Sequence, residues 1–182
     1  MSADNGTRYV LNGELTEIVR HIYAIRMPDD ASPVVFHLSP SLEMMLILNF
    51  GPPLSFSFGE EEIADHQVER IGIIGPLRKM LNYELQPGTD LLALPFVNDG
   101  FFRFMALNNT KVNLSDEDSV AEYAQELDVL WDQLNALPNT EARVALLTEH
   151  IARAAEKLDA AAQPLLEHAS VFHDPLLNPA KH

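Results

Sequence analysis

The sequence predicts an α+β chain: an antiparallel β-barrel over residues 1–114, an antiparallel helical pair over 115–172, and a linker over 173–182. Three observations predict it. Up to Leu114 the chain runs in short stretches of β-branched and aromatic residues cut by Pro and Gly. Beyond it, Ala, Leu, Glu, Asp and Gln recur at helical spacing and Pro stands only at breaks. Within the first region, Leu54-Ser-Phe-Ser-Phe58 alternates apolar and polar, the period-2 signature of a half-buried strand.

Taken in order, Arg8–Leu11 and Glu17–Arg26 read as strands, the second ended by Met27-Pro-Asp-Asp30. Val34–Leu38 follows, then the continuously apolar run Met44–Phe50, which suits a strand buried on both faces. Its flanks, Pro40 and Gly51-Pro-Pro53, favour strand over helix. After Leu54–Phe58, the acidic Gly59-Glu-Glu-Glu62 reads as a solvated hairpin tip. Gln67–Ile74, Met80–Leu85 and Asp90–Val97 complete the strands, divided by Gly75-Pro76 and Pro87-Gly88. Proline fixes φ and removes a donor, and glycine accepts positive φ, so both pairs end strands and reverse the chain. Asn98–Met105 reads as a short helix or turn that lays Phe101, Phe102 and Phe104 on the barrel's open end.

The helical region opens with Ser115 or Asp116 as a cap. Val120, Tyr123, Leu127, Leu130, Trp131, Leu134 and Leu137 then fall at three- and four-residue steps on one face. Pro138-Asn139 breaks this helix, and Asn139 or Thr140 caps the next, which carries Val144, Leu147, Ile151, Ala154 and Leu158. So short a loop makes the two helices antiparallel. Pro164 is expected to interrupt the second.

Charge and composition exclude several classes. A formal net charge of −15 and only 12 basic residues, scattered singly apart from Arg78-Lys79, disfavour nucleic acid and anionic membranes as direct partners. There is no cysteine, hence no disulfide, thiolate metal site or cysteine nucleophile. No apolar run reaches the ~18 residues of a membrane span, and no signal peptide is visible, so the expected compartment is the cytoplasm.

The chain carries little readable chemistry. Its histidines show neither His-x-His nor His-x-x-x-His spacing. Gly72-Ile-Ile-Gly75 lacks the Lys-Ser/Thr of a phosphate loop, and no Gly-x-Ser-x-Gly elbow occurs. His37 with Glu43 supplies two ligands to a barrel interior but no third, so His37 reads as a hydrogen-bonded barrel residue. The expectation is no enzyme, with no catalytic residue, metal ligand set or cofactor assigned. The barrel, closed by Phe56, Phe58, Tyr83, Phe96, Phe101 and Phe102, holds either a small ligand or a filled core. Polar groups within apolar strand runs are the candidate ligand contacts: His37, Glu43, Asn49, Arg78 and Tyr83. A one-residue shift of register turns each of them outward.

Ile71-Gly-Ile-Ile-Gly-Pro, then Tyr83-Glu-Leu-Gln-Pro-Gly, then Phe96-Val-Asn-Asp-Gly-Phe-Phe-Arg-Phe, follow one another in order. Leu46-Ile-Leu-Asn-Phe-Gly-Pro-Pro53 precedes them, and Val112-Asn-Leu-Ser and a Leu-rich helix come after. This series, spanning roughly residues 17–175, resembles the N-terminal sensor domain of AraC-family transcription regulators. The resemblance implies a cupin-like barrel that senses a small-molecule effector, and helices that join subunits into a homodimer. It would place Leu127, Leu130, Leu134, Val144, Leu147 and Ile151 at the dimer contact, although the same face could equally cover the barrel. DNA binding would then reside in a helix-turn-helix region absent from this chain, which reads as a fragment of a longer regulator. The alternative is a cupin-like small-molecule- or metal-binding protein or enzyme.

Overall fold

The computed structural model describes residues 6–63, 66–107, 120–122 and 127–172, with 120–122 and the part beyond 156 described as backbone only. The elements are β1 (Gly6–Tyr9), a short 3-10 helix (Gly13–Glu17), β2 (Ile22–Arg26), β3 (Val34–Leu38), β4 (Met45–Asn49) and β5 (Leu54–Phe58). Then come β6 (His66–Val68), β7 (Ile71–Ile74), β8 (Leu81–Leu85), β9 (Asp90–Pro95), α1 (Gly100–Leu107), β10 (Val120–Glu122), α2 (Asp128–Asn135) and α3 (Thr140–Phe172). The strands form a six-stranded sheet, β1-β2-β9-β4-β7-β10, and a four-stranded sheet, β3-β8-β5-β6. Every ladder is antiparallel.

The fold is thus β-rich α+β, as expected, but the expected closed barrel is corrected to two facing sheets. Among the described residues no ladder joins them, and β1, β10, β3 and β6 remain edges. The central strands β9, β4 and β7 of the six-stranded sheet are buried on both faces, and strand alternation divides their side chains between two cores. On one face Leu46, Leu48, Ile71, Ile73, Leu92 and Leu94 pack under the helices. On the other, Ile25, Ile47, Ile74, Leu91 and Ala93 meet Leu54, Phe56, Leu81 and Leu85 of the four-stranded sheet. The unbroken apolar run of β4 has this cause: successive residues serve opposite cores.

Four further expectations are corrected. The stretch Gln67–Ile74, read as one strand, is two strands in different sheets. Asn49 explains the division. Its side-chain amide donates to the carbonyls of Val68 (3.3 Å) and Glu69 (3.1 Å), and its backbone N–H to that of Arg70 (2.7 Å). The chain therefore turns at these residues and crosses from one sheet to the other. The strand expected from Glu17 begins only at Ile22: residues up to Glu17 form the 3-10 helix, and Val19 makes only an isolated bridge to Phe96. Val120–Glu122, expected on a helix, adds to β7 as a strand, so the first long helix starts at Asp128; Ser115 and Asp116 lie outside the described residues. Pro164 does not interrupt α3, which runs through it. Proline removes one helical donor, and 33 residues of helix absorb that loss.

The aromatic lid is corrected as well. Phe96, Phe101 and Phe104 pack edge-on and tilted against one another (centroids 5.5 and 5.6 Å) on the helical side of the sheet, not over the barrel mouth. Gly100 makes this close docking of α1 possible, because a Cβ there would enter the backbone of Ile18. Phe102 stays exposed. Asn139 caps α3 as read, its Oδ1 accepting the N–H of Ala142 at 2.8 Å.

Candidate functional site

Between the two sheets lies a cavity of about 310 Å³. The inward residues of β2, β4, β7 and β9 form one wall, with Ile25, Met45, Ile47, Ile74, Leu91 and Ala93. Leu38, Leu54, Phe56, Leu81 and Tyr83 from β3, β5 and β8 form the other. The period-2 alternation of each strand puts them there: Ile25, Ile47 and Ala93 are two residues away from Tyr23, Met45 and Leu91, which also face inward.

Polarity is confined to few side chains. Arg8, His21 and Tyr23 line the cavity at the β1–β2 corner, where Arg8 stands directly opposite Tyr23 in the ladder. Gly6, next in line on β1, leaves the space that the Tyr23 ring and hydroxyl occupy; a Cβ at residue 6 would overlap them. His21 meets Tyr23 edge-on at 6.4 Å. Burial holds the His21 imidazole below its usual pKa, Arg8 and Arg20 push it further down, and Glu43 draws it back up. Tyr83 stacks on Phe36 (6.0 Å) within the four-stranded sheet. Among the lining residues there is no Asp or Glu.

Of the five ligand contacts expected from sequence, one lines the cavity, Tyr83. His37 lies on the outer face of β3, where Nδ1 donates to Oδ1 of Asn82 at 2.6 Å. The Asn82 amide in turn donates to the Ser57 hydroxyl (3.1 Å) and the Gly59 carbonyl (2.9 Å), a cross-strand chain on the outside of the small sheet. Glu43 pairs with Arg20 beside a shallow groove that also holds Ser41, Leu42 and Asn98. Asn49 is buried and spends its amide on Pro52, Val68 and Glu69 carbonyls, a structural role. Arg78 is exposed and does not line the cavity. Of the six helical residues, Leu127, Leu130, Leu134, Leu147 and Ile151 are buried in the core beneath the helices, and Val144 packs against it. This chain's own sheet covers that face.

Arg8, His21 and Tyr23 escaped sequence reasoning. The signal available was parity: Tyr23 and Ile25 share a face, and His21 continues it. Arg8 joins them only through the β1–β2 register, which no local pattern fixes. For metal, His37 and Glu43 are not brought together, and among the described residues no group of three or more His, Cys, Asp or Glu is placed to hold an ion.

No family model matches the chain, and no curated protein does. Solved structures of PhpD with cadmium complexed with hydroxyethylphosphonate are similar at TM-score 0.36 and 15% identity, over 78% of this chain and 34% of theirs. Native PhpD with cadmium atoms gives 0.35 and 15%, over 77% and 34%. A point mutant of hydroxyethylphosphonate dioxygenase gives 0.34 and 14%, over 82% and 45%. The chain thus spans about a third to under half the length of the structures it is similar to, and a likeness at these scores assigns no activity. The comparisons lend nothing to an AraC-family kinship. The expectation of no enzyme is also corrected. It rested on missing sequence motifs alone, which assign no activity and exclude none. Among the described residues no helix is long and apolar enough to cross a membrane.

Proposed function

We propose that this is a cupin-like small-molecule-binding protein whose ligand occupies the cavity between the two sheets. The supporting observation is the cavity itself, about 310 Å³ with mostly apolar walls. Protein interiors are close-packed, so space of this size between two mostly apolar walls is where a small apolar ligand would gain contacts that water does not supply. The volume lies at the lower edge of the ~300–1,000 Å³ usual for ligand sites, so the ligand is small.

The test is titration calorimetry with a panel of small apolar molecules, neutral, anionic and cationic, against wild type and Ala93→Phe, whose added ring fills the cavity. Saturable binding that Ala93→Phe abolishes, with folding checked by circular dichroism, is the expected result. Binding unchanged in a folded Ala93→Phe, or no binding by any panel member, would contradict the proposal.

The sequence resemblance supports a finer reading, an effector domain of an AraC-like regulator acting as a homodimer with DNA binding outside this chain. The order of sheets followed by helices agrees with it. In that reading the effector fills the same cavity, and subunits meet through a surface other than the six covered helical side chains. Molar mass by light scattering across concentrations, with and without a bound panel member, tests it; a strict monomer in both states would sink it.

A further inference from the structure

We propose that the cavity selects an anionic ligand, a small monocarboxylate with an apolar body whose carboxylate sits at the corner formed by Arg8, His21 and Tyr23. The proposal rests on the cavity being the ligand site, and it deepens that reading by naming the ligand's chemistry.

Charge carries the argument. The chain has 27 acidic and 12 basic residues, so a cavity placed without regard to charge would be acidic. This one has Arg8 in its lining and no carboxylate at all. Among the described residues Arg8 has no carboxylate partner either: the ion pairs belong to Arg20, His66, Arg70 and Arg143. Glu43, which acts on His21, is itself held by Arg20. Among the described residues the corner therefore offers a guanidinium with no carboxylate partner, beside an imidazole and a phenol. A planar guanidinium binds a carboxylate through paired N–H groups, and the imidazole and phenol can each donate to an anion. Apart from the Tyr83 phenol, the remaining walls offer aliphatic and aromatic surface, which suits a hydrocarbon body.

Size follows from volume. At ~30 Å³ per non-hydrogen atom, the share of a water molecule in the liquid, 310 Å³ holds on the order of ten atoms. Octanoate or benzoate meets both conditions. A phosphate monoester, with its larger and doubly charged head, does not match a corner with a single guanidinium.

The experiment compares octanoate, octanol and octylamine, which share a chain and differ in the head group, by titration calorimetry on the whole chain. Octanoate is expected to bind tightest, octanol about tenfold more weakly, and octylamine weaker still, the scale of one charge-assisted hydrogen bond. Arg8 is exposed on an edge strand, so Arg8→Met is expected to fold normally. It should erase the preference for octanoate over octanol while leaving octanol affinity within about twofold. His21→Gln, which keeps a donor, should retain most of the preference. Octanol binding as tightly as octanoate would overturn the anion proposal while leaving the cavity as the ligand site. A preference that survives Arg8→Met would also overturn it. Failure of all three ligands, with neutral apolar panel members still bound in the cavity, would reject the carboxylate class alone. Failure of every ligand would reject both readings together.

Discussion

The Arg143 guanidinium lies 4.0 Å from the centre of the Phe50 ring and bonds Oδ2 of Asp90 at 3.0 Å. The same side chain donates from Nε to the Leu134 carbonyl at 3.0 Å. Phe50 stacks in turn on Trp131 (5.7 Å), and Arg70 lies over the indole (5.2 Å) while pairing with Asp128. Two cations thus contact two stacked rings, tying the ends of β4 and β9 and the β6–β7 turn to α2 and α3. Arg143→Met should cost about 2 kcal/mol, since it strands a half-buried carboxylate and a helix-end carbonyl. Arg143→Lys should recover little, because an ammonium cannot serve ring, carboxylate and carbonyl at once. Urea denaturation midpoints check both; full rescue by Lys would contradict the geometry.

Asn49 should prove structural. Its amide serves three carbonyls, its Oδ1 accepts the Gly51 N–H at 3.2 Å, and its own carbonyl accepts the Trp131 indole N–H at 2.8 Å. Asn49→Ala is expected to lower stability by about 2–3 kcal/mol through unsatisfied buried groups. Ligand affinity in the protein that remains folded should be unchanged. A large affinity loss at unchanged stability would restore Asn49 as a ligand contact.

Leu147→Asp distinguishes covering from dimerisation. Leu147 is wholly buried under the sheet, and an unpaired buried charge costs several kcal/mol. The variant should therefore unfold or melt far below wild type. A variant that keeps the wild-type melting temperature and changes only its solution mass would mean that this face meets a second subunit instead.

Stability should fall on acidification in the range below the ordinary imidazole pKa of 6.5. Burial lowers His21 and His150, helped by Arg8 and Arg20 at the first and Arg153 at the second, against the opposite pull of Glu43 and Glu149. A base with a depressed folded pKa holds fewer protons folded than unfolded, so its contribution is present above the unfolded value and lost as pH falls through the folded one. The His21→Gln, His150→Gln double variant should flatten the dependence of melting temperature on pH between about 7.5 and 5.5. An identical slope would refute the assignment. A carboxylate bound at the corner would lift the His21 pKa again, so ligand affinity should rise as pH falls toward 6.

Much of the fold was legible because local chemistry determines it. Leu54–Phe58 and Val34–Leu38 are strands with the bounds that their composition indicates, Pro87-Gly88 divides β8 from β9, and Asn139 caps α3. What failed depends on partners distant in sequence. The crossing at Glu69 is made by Asn49, twenty residues upstream, and β10 is a strand because β7 offers a free edge. The site shows the same division. With Leu38 turned inward, alternation already turns His37 outward. The pairing of Arg8 with Tyr23 belongs to the sheet and not to either strand.

The most direct test of the cavity as a binding site is to locate a bound ligand's protons by nuclear Overhauser effects in the octanoate complex. Contacts from the octanoate methylenes to the methyl groups of Ile47, Leu54, Ile74 and Leu81 are expected, since all four line the space between the sheets. Contacts to Leu130, Leu147 or Ile151 beneath the helices, or to exposed Val34 and Leu42 alone, would contradict it.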